Sequence, residues 1–178
     1  MGLNKNQNTS NALYILQGKI VKVATKETSN FEVNGKFYEA YDSISGYLVG
    51  FKIVDGYRDG ERDVALKIQD GTDEYLLKFG VNSGNFTSWS KSIQNADLLK
   101  ELELVPTFKQ DGDKKQSSLL IKQNGEWIKR KYTNDSMGEL PVAMPVSLNG
   151  KVSYDYTAQL DYLINEISSI FDAAEMPF

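Results

Sequence analysis

The chain has 178 residues with no cysteine and no histidine, a length that fits one domain burying roughly 70% of its unfolded surface. Absent cysteine excludes disulfides, thiolate nucleophiles and zinc-thiolate sites, and absent histidine removes the commonest metal ligand and the base that titrates near neutrality. Any catalysis would fall to carboxylates, lysines or hydroxyls, so the expectation is a protein that is not an enzyme and holds no cofactor and no metal.

The formal net charge of −4 is unevenly spread. Residues 1–150 hold 19 of the 20 Lys+Arg and 19 of the 24 Asp+Glu, and residues 151–178 hold Lys151 against Asp155, Asp161, Glu166, Asp172 and Glu175, which gives 1 − 5 = −4. No apolar run approaches the ~20 residues of a membrane span, and Met1-Gly2-Leu3-Asn4-Lys5-Asn6 lacks a secretory apolar stretch. The chain is expected to be soluble and cytoplasmic, with no membrane partner.

Residues 1–12 are Asn-, Gln-, Ser- and Thr-rich and read as a disordered arm. Gly18–Ala24 has the β-branched content of a strand, and Asn34-Gly35 between Phe31-Glu32-Val33 and Lys36-Phe37-Tyr38 signals a two-residue hairpin. In the strand Tyr47–Val54, Tyr47, Val49, Phe51 and Ile53 share one face by period two. A loop at Asp55–Arg62 leads to Val64, Leu66 and Ile68, which alternate with Lys67, and Asp70-Gly71 turns the chain into Glu74–Phe79. Phe86, Trp89 and Ile93 then mark one face of a short helix capped by Ser83 or Asn85.

Strands resume at Leu102–Phe108, where Pro106 suits an edge or a bulge, and at Ser118–Lys122 after a turn-rich Lys109–Ser117. Trp127–Tyr132 follows Asn124-Gly125, with Trp127, Lys129 and Lys131 expected on one face and Ile128, Arg130 and Tyr132 on the other. Residues 133–150, with Pro141 and Pro145, read as a loop over the body. From Tyr156 on, Leu160, Leu163, Ile164, Ile167 and Ile170 or Phe171 follow helical spacing, with Asp155 or Ser153 as cap.

Three strands, a short helix and two strands make the order of an OB-fold, a five-stranded, partly open Greek-key barrel whose second and third strands and two loops bind oligonucleotides or oligosaccharides. The expected fold is therefore mainly β: an OB-fold-like five-stranded barrel with N-terminal β additions, one internal helix and a C-terminal helix. Its divisions are an arm at 1–12, the binding domain at 13–150, and an acidic helix and tail at 151–178.

Binding of unpaired nucleic acid needs aromatic faces for stacking and cations along the phosphates. The candidates are Lys52, Lys67, Tyr75, Lys78 and Lys122 on the strands, and Tyr57, Arg58 and Arg62 in the first loop. Lys114 and Lys115 in the last loop and Trp127, Lys129, Arg130 and Lys131 complete the set. The carboxylates Asp55, Asp59, Glu61 and Asp63 lack the spacing of a calcium loop.

Glu39–Leu48, Tyr132-Thr133-Asn134-Asp135 and a C-terminal helix ending in an acidic terminus resemble bacteriophage-encoded OB-fold single-stranded-DNA-binding proteins. The final Glu175-Met176-Pro177-Phe178 is similar to the acidic tip of bacterial single-stranded-DNA-binding proteins, although Ala173 and Ala174 stand where acids would crowd. The resemblance implies a protein that coats single-stranded DNA in phage replication or recombination, in the cytoplasm of the infected bacterial host. It also implies a tail of Asp172, Glu175, Pro177 and Phe178 that docks on phage or host replication or recombination proteins. The alternative is an OB-like accessory or virion module that binds protein or carbohydrate.

Overall fold

The computed structural model describes residues 11–174. In chain order the elements are β1 (Ala12–Leu16), β2 (Lys19–Val23), β3 (Phe31–Val33), β4 (Lys36–Tyr41), β5 (Ile44–Asp55), β6 (Arg62–Asp70), β7 (Asp73–Gly80), α1 (Gly84–Ile93), β8 (Leu102–Asp111), β9 (Lys114–Gln123), β10 (Glu126–Trp127), β11 (Met144–Leu148), β12 (Lys151–Asp155) and α2 (Thr157–Ala173). The fold is mainly β, and its ten-stranded sheet, ordered β10-β9-β8-β5-β6-β7-β1-β2-β4-β3, does not close into a barrel. Within it β8-β5-β6-β7 has the 4-1-2-3 order of a Greek key, a three-stranded meander whose fourth strand returns beside the first.

The sheet stays open because the far edge of β7 is taken by β1, which pairs in parallel with Ala12 opposite Leu76 and Tyr14 opposite Lys78. Asn11 adds a side-chain bond to the Glu74 carbonyl at 2.8 Å, and its own carbonyl accepts from the Leu76 amide at 3.1 Å. The arm expected at 1–12 thus gives up Asn11 and Ala12 to the sheet, and the rest of it lies outside the described residues.

The core lies between one face of the sheet and the two helices. Leu48, Val64, Leu66, Ile68 and Leu77 from the strands meet Phe86, Trp89 and Ile93 of α1 and Leu163, Ile167 and Phe171 of α2, all buried. Each such side chain contributes about 1.5–3 kcal/mol by leaving water. Helix α1 starts where the sequence places it, with Ser83 extended and its hydroxyl accepting from the Phe86 amide at 3.3 Å. At α2 the Asp155 carboxylate accepts from the Thr157 amide at 2.9 Å, one residue ahead of the cap position held by Tyr156.

Four expectations are corrected. Val49 is the extra residue of a bulge between Leu48 and Gly50, so Leu48 pairs Ile68 toward the core and Tyr47 turns outward, away from Phe51 and Ile53. The last loop shrinks to Gly112-Asp113, because β8 and β9 extend to it. The strand expected over Trp127–Tyr132 ends at Trp127: the Lys131 amide donates instead to the Lys91 carbonyl of α1, and Asn95 donates to the Lys129 carbonyl at 2.9 Å. Residues 144–155, divided in the sequence reading between a loop and the helical segment, form a separate hairpin of β11 and β12 turned by Asn149-Gly150. Pro106 lies beyond Leu104, where the β5 ladder has ended, so β8 is there an edge on that side, as its proline requires.

Candidate nucleic-acid interface

Residues paired directly across a ladder point to the same face, and successive residues alternate. The register of β5, β6 and β7 therefore assigns each side chain. Phe51–Leu66–Leu77 and Leu48–Ile68–Tyr75 are rows of the core face. The outer rows alternate with them: Lys52–Ala65–Lys78, which continues to Tyr14 on β1, precedes the first, Gly50–Lys67–Leu76 lies between the two, and Tyr47–Gln69–Glu74 follows the second. Lys52, Lys67 and Lys78 thus come from three adjacent strands onto one outer face, with Tyr14 and Tyr47 in its rows at 40% and 47% exposure.

This face is not purely cationic. Lys67 pairs with Glu74 across the ladder at 3.4 Å. Beyond β5, the outer row Glu103–Lys122–Trp127 sets the half-exposed Trp127 ring against the Lys122 ammonium, 5.1 Å from its centroid. Trp127 and Lys122 so meet as an aromatic–cation pair on the same side of the sheet as the three lysines.

The first loop, Gly56–Glu61, is closed by the Gly56 amide on the Glu61 carbonyl at 2.8 Å and the Glu61 amide on the Arg58 carbonyl at 3.0 Å. It holds Tyr57 wholly in solvent, 99% exposed, and leaves Arg58 facing Glu61 at 3.9 Å. Lys114 and Lys115 are exposed at the far tip of the β8–β9 hairpin.

Other candidates part company with this face. Tyr75 lies on the core side and packs against the core. Arg62 reaches the Asp161 carboxylate of α2 at 2.9 Å. Lys131 bonds Gln94 at 2.8 Å and Glu166 at 3.3 Å, while Lys129 and Arg130 stay exposed on the connection after β10. Glu166 also accepts from Tyr132 at 2.7 Å and Tyr162 at 3.1 Å. Burial works against its ionisation, but the hydrogen bonds from Tyr132, Gln94 and Lys131 outweigh it and hold the carboxyl below its ordinary range.

Sequence reasoning missed Tyr14, Tyr47 and Lys91. Tyr47 is hidden by the bulge, and Tyr14 by a parallel pairing with a strand far along the chain. Burial and the neighbouring Arg130 push the Lys91 ammonium down, and it walls a cleft with Tyr154 and Tyr156. In the tail, Asp172 is exposed at the end of α2, and Glu175, Pro177 and Phe178 lie outside the described residues.

Among the described residues no group of three or more carboxylates is placed to hold a metal ion, and no helix is long and apolar enough to cross a membrane. In comparisons with family models, curated proteins and solved structures, nothing matches this chain.

Proposed function

We propose that the protein binds single-stranded DNA with little sequence preference on the outer face of β5, β6 and β7, and coats it during phage DNA replication or recombination without catalysing a reaction. The observation that carries this reading is the convergence of Lys52, Lys67 and Lys78 from three neighbouring strands onto one face that also bears Tyr14 and Tyr47. Lysines spaced along a sheet track phosphates, and tyrosine rings between them offer stacking surfaces that any base can use. The Greek-key order of β8-β5-β6-β7 supports an opened variant of the OB-fold, in which the outer side of the second and third strands is the ligand face. The first loop, with Tyr57 and Arg58, flanks that face at the end of β5. The host cytoplasm is the compartment in which such a protein works.

The two tryptophans supply the test. Trp89 is wholly buried in the core and Trp127 is 53% exposed beside Lys122, so quenching on DNA addition reads Trp127. Titration with an oligo-dT at about 50 mM salt is expected to quench emission, and affinity falls steeply as salt rises, because each neutralised phosphate releases counterions. No quenching and no gel shift would overturn the reading. Binding of a protein or carbohydrate without salt dependence would establish the alternative.

A further inference from the structure

The β11–β12 hairpin stands apart from the large sheet: neither strand pairs with it, and all ten strand residues are exposed. It nevertheless carries Met144, Val146, Leu148, Val152 and Tyr154, each 42–70% exposed. An isolated two-stranded hairpin is marginal in water, and further strands or packing against a helix are needed for independent stability. The hairpin therefore has the composition of a strand pair that is completed by further strands.

Its two edges differ. The two-residue turn at Asn149-Gly150, both at positive φ, makes Leu148 and Lys151 the closing hydrogen-bonded pair. Hydrogen-bonded pairs then alternate, at Leu148–Lys151, Val146–Ser153 and Met144–Asp155, so the backbone groups of Pro145, Ser147, Val152 and Tyr154 point away from the hairpin. On β11 the outward position at 145 is a proline with no N–H to give, a usual guard against strand addition. On β12 both outward positions, Val152 and Tyr154, keep donor and acceptor.

We infer that the β12 edge is a self-association surface, and that two copies of the chain join antiparallel through it about a two-fold axis at Ser153. This register is self-complementary. Val152 of one copy faces Tyr154 of the other as a hydrogen-bonded pair, exchanging both backbone bonds and setting a β-branched side chain beside an aromatic one. Ser153 faces Ser153, and Lys151 faces Asp155 at a pair where side chains come closest, so each end of the junction carries one opposite-charge contact. A two-fold axis requires a surface complementary to itself, and the sequence Lys151-Val152-Ser153-Tyr154-Asp155 has that property: reversed, it sets cation on anion and valine on tyrosine. The product is a four-stranded sheet in the order β11-β12-β12-β11, with a proline-bearing strand at both rims.

The test uses the full chain in sedimentation equilibrium across about 1–100 μM, which brackets micromolar dissociation constants. The unchanged protein is expected to move toward twice its mass as concentration rises, with hydrogen exchange at the Val152 and Tyr154 amides slowing in parallel. Val152→Pro copies the guard at Pro145 and is expected to weaken association at least ten-fold while the melting curve stays cooperative. Lys151→Glu and Asp155→Lys each put like charges together and weaken it. An equimolar mixture of the two variants forms a mixed dimer, because the introduced carboxylate of one copy then faces the introduced ammonium of the other, and the retained Asp155 faces the retained Lys151. A chain that keeps its monomer mass throughout, or a dimer that Val152→Pro leaves intact, would overturn the inference, as would equal behaviour of the mixed and separate charge variants.

Discussion

Phe171, in the last turn of α2, stacks on Phe51 of β5 with ring centroids 5.7 Å apart and planes inclined by 30°. Phe51 in turn stacks on Trp89 at 5.8 Å. The acidic helix is thus fastened to the sheet through an aromatic stack next to its end. Phe171→Ala is expected to cost about 3–5 kcal/mol, the usual range for a buried phenylalanine. Removing residues 172–178 spares this contact and should leave the melting temperature nearly unchanged. A large drop on that truncation would count against the tail docking that the resemblance to single-stranded-DNA-binding proteins implies; an unchanged melting temperature with loss of contact to a replication protein would count in its favour.

For the lysine face, the triple change of Lys52, Lys67 and Lys78 to alanine should lower the slope of log affinity against log salt by about 2, from a contribution of about 0.7 per phosphate contact. Trp127→Ala should cost about 1–3 kcal/mol of binding with the slope unchanged, because a stacking contact releases no counterion. Arg62→Ala and Lys131→Ala should change the slope less than the triple variant does, since these two side chains lie against Asp161 and Glu166 of α2 and not on the outer face of β5, β6 and β7. Equal slopes in the triple variant and the unchanged protein would remove the face from consideration.

Glu166 makes stability depend on pH at both ends of the scale. Its folded pKa lies below the ordinary value of 4.5, so its contribution is fully present above that value and is lost as pH falls through the folded pKa. Tyr132, through burial and then Glu166, and Tyr162, chiefly through its bond with Tyr132, are both raised above 10.0. Their contribution is fully present below pH 10.0 and is lost as pH rises through the folded values. Glu166→Gln should therefore flatten both limbs of a plot of melting temperature against pH. Limbs as steep as in the unchanged protein would show that other groups govern them.

Deleting Val49 tests the bulge. With the extra residue gone, Leu48 and Gly50 become neighbours opposite Ile68 and Lys67, so the ladder runs regularly with Leu48 still toward the core and Tyr47 still outward. What is lost is the local bend and the half-buried Val49 side chain, so the cost should stay near the ~1 kcal/mol of a typical substitution, read as a shift of the urea midpoint. A loss of ~4 kcal/mol or more would show that the core depends on the bend.

The parts legible in the sequence are those set by neighbours along the chain. Asn34-Gly35 has both residues at positive φ, as its hairpin requires, and Ser83 caps α1 because hydroxyl and amide lie three residues apart. Val64, Leu66 and Ile68 face the core, as their alternation indicates. What was hidden depends on distant partners. Lys131 leaves the sheet direction because Lys91, Gln94 and Glu166 draw it to the helices. Asn149-Gly150 carries the same turn chemistry as Asn34-Gly35, but Pro145 beside it argued for a loop, and the hairpin tolerates that proline only because its missing donor points to the free edge of β11.

The parallel pairing of β1 with β7 sets a timetable for synthesis. Leu13 lies opposite Leu77, 77 − 13 = 64 residues later in the chain. At about 5–20 residues per second, a ribosome needs roughly 3–13 s to deliver the second partner after the first. During that interval β1 can pair with β2, its antiparallel neighbour, yet the buried Leu13 has no β7 to cover it. The first of the described strands is then among the last to dock, and a nascent chain halted before residue 73 would present that unfilled edge to whatever chaperone or aggregating partner stands near the exit tunnel.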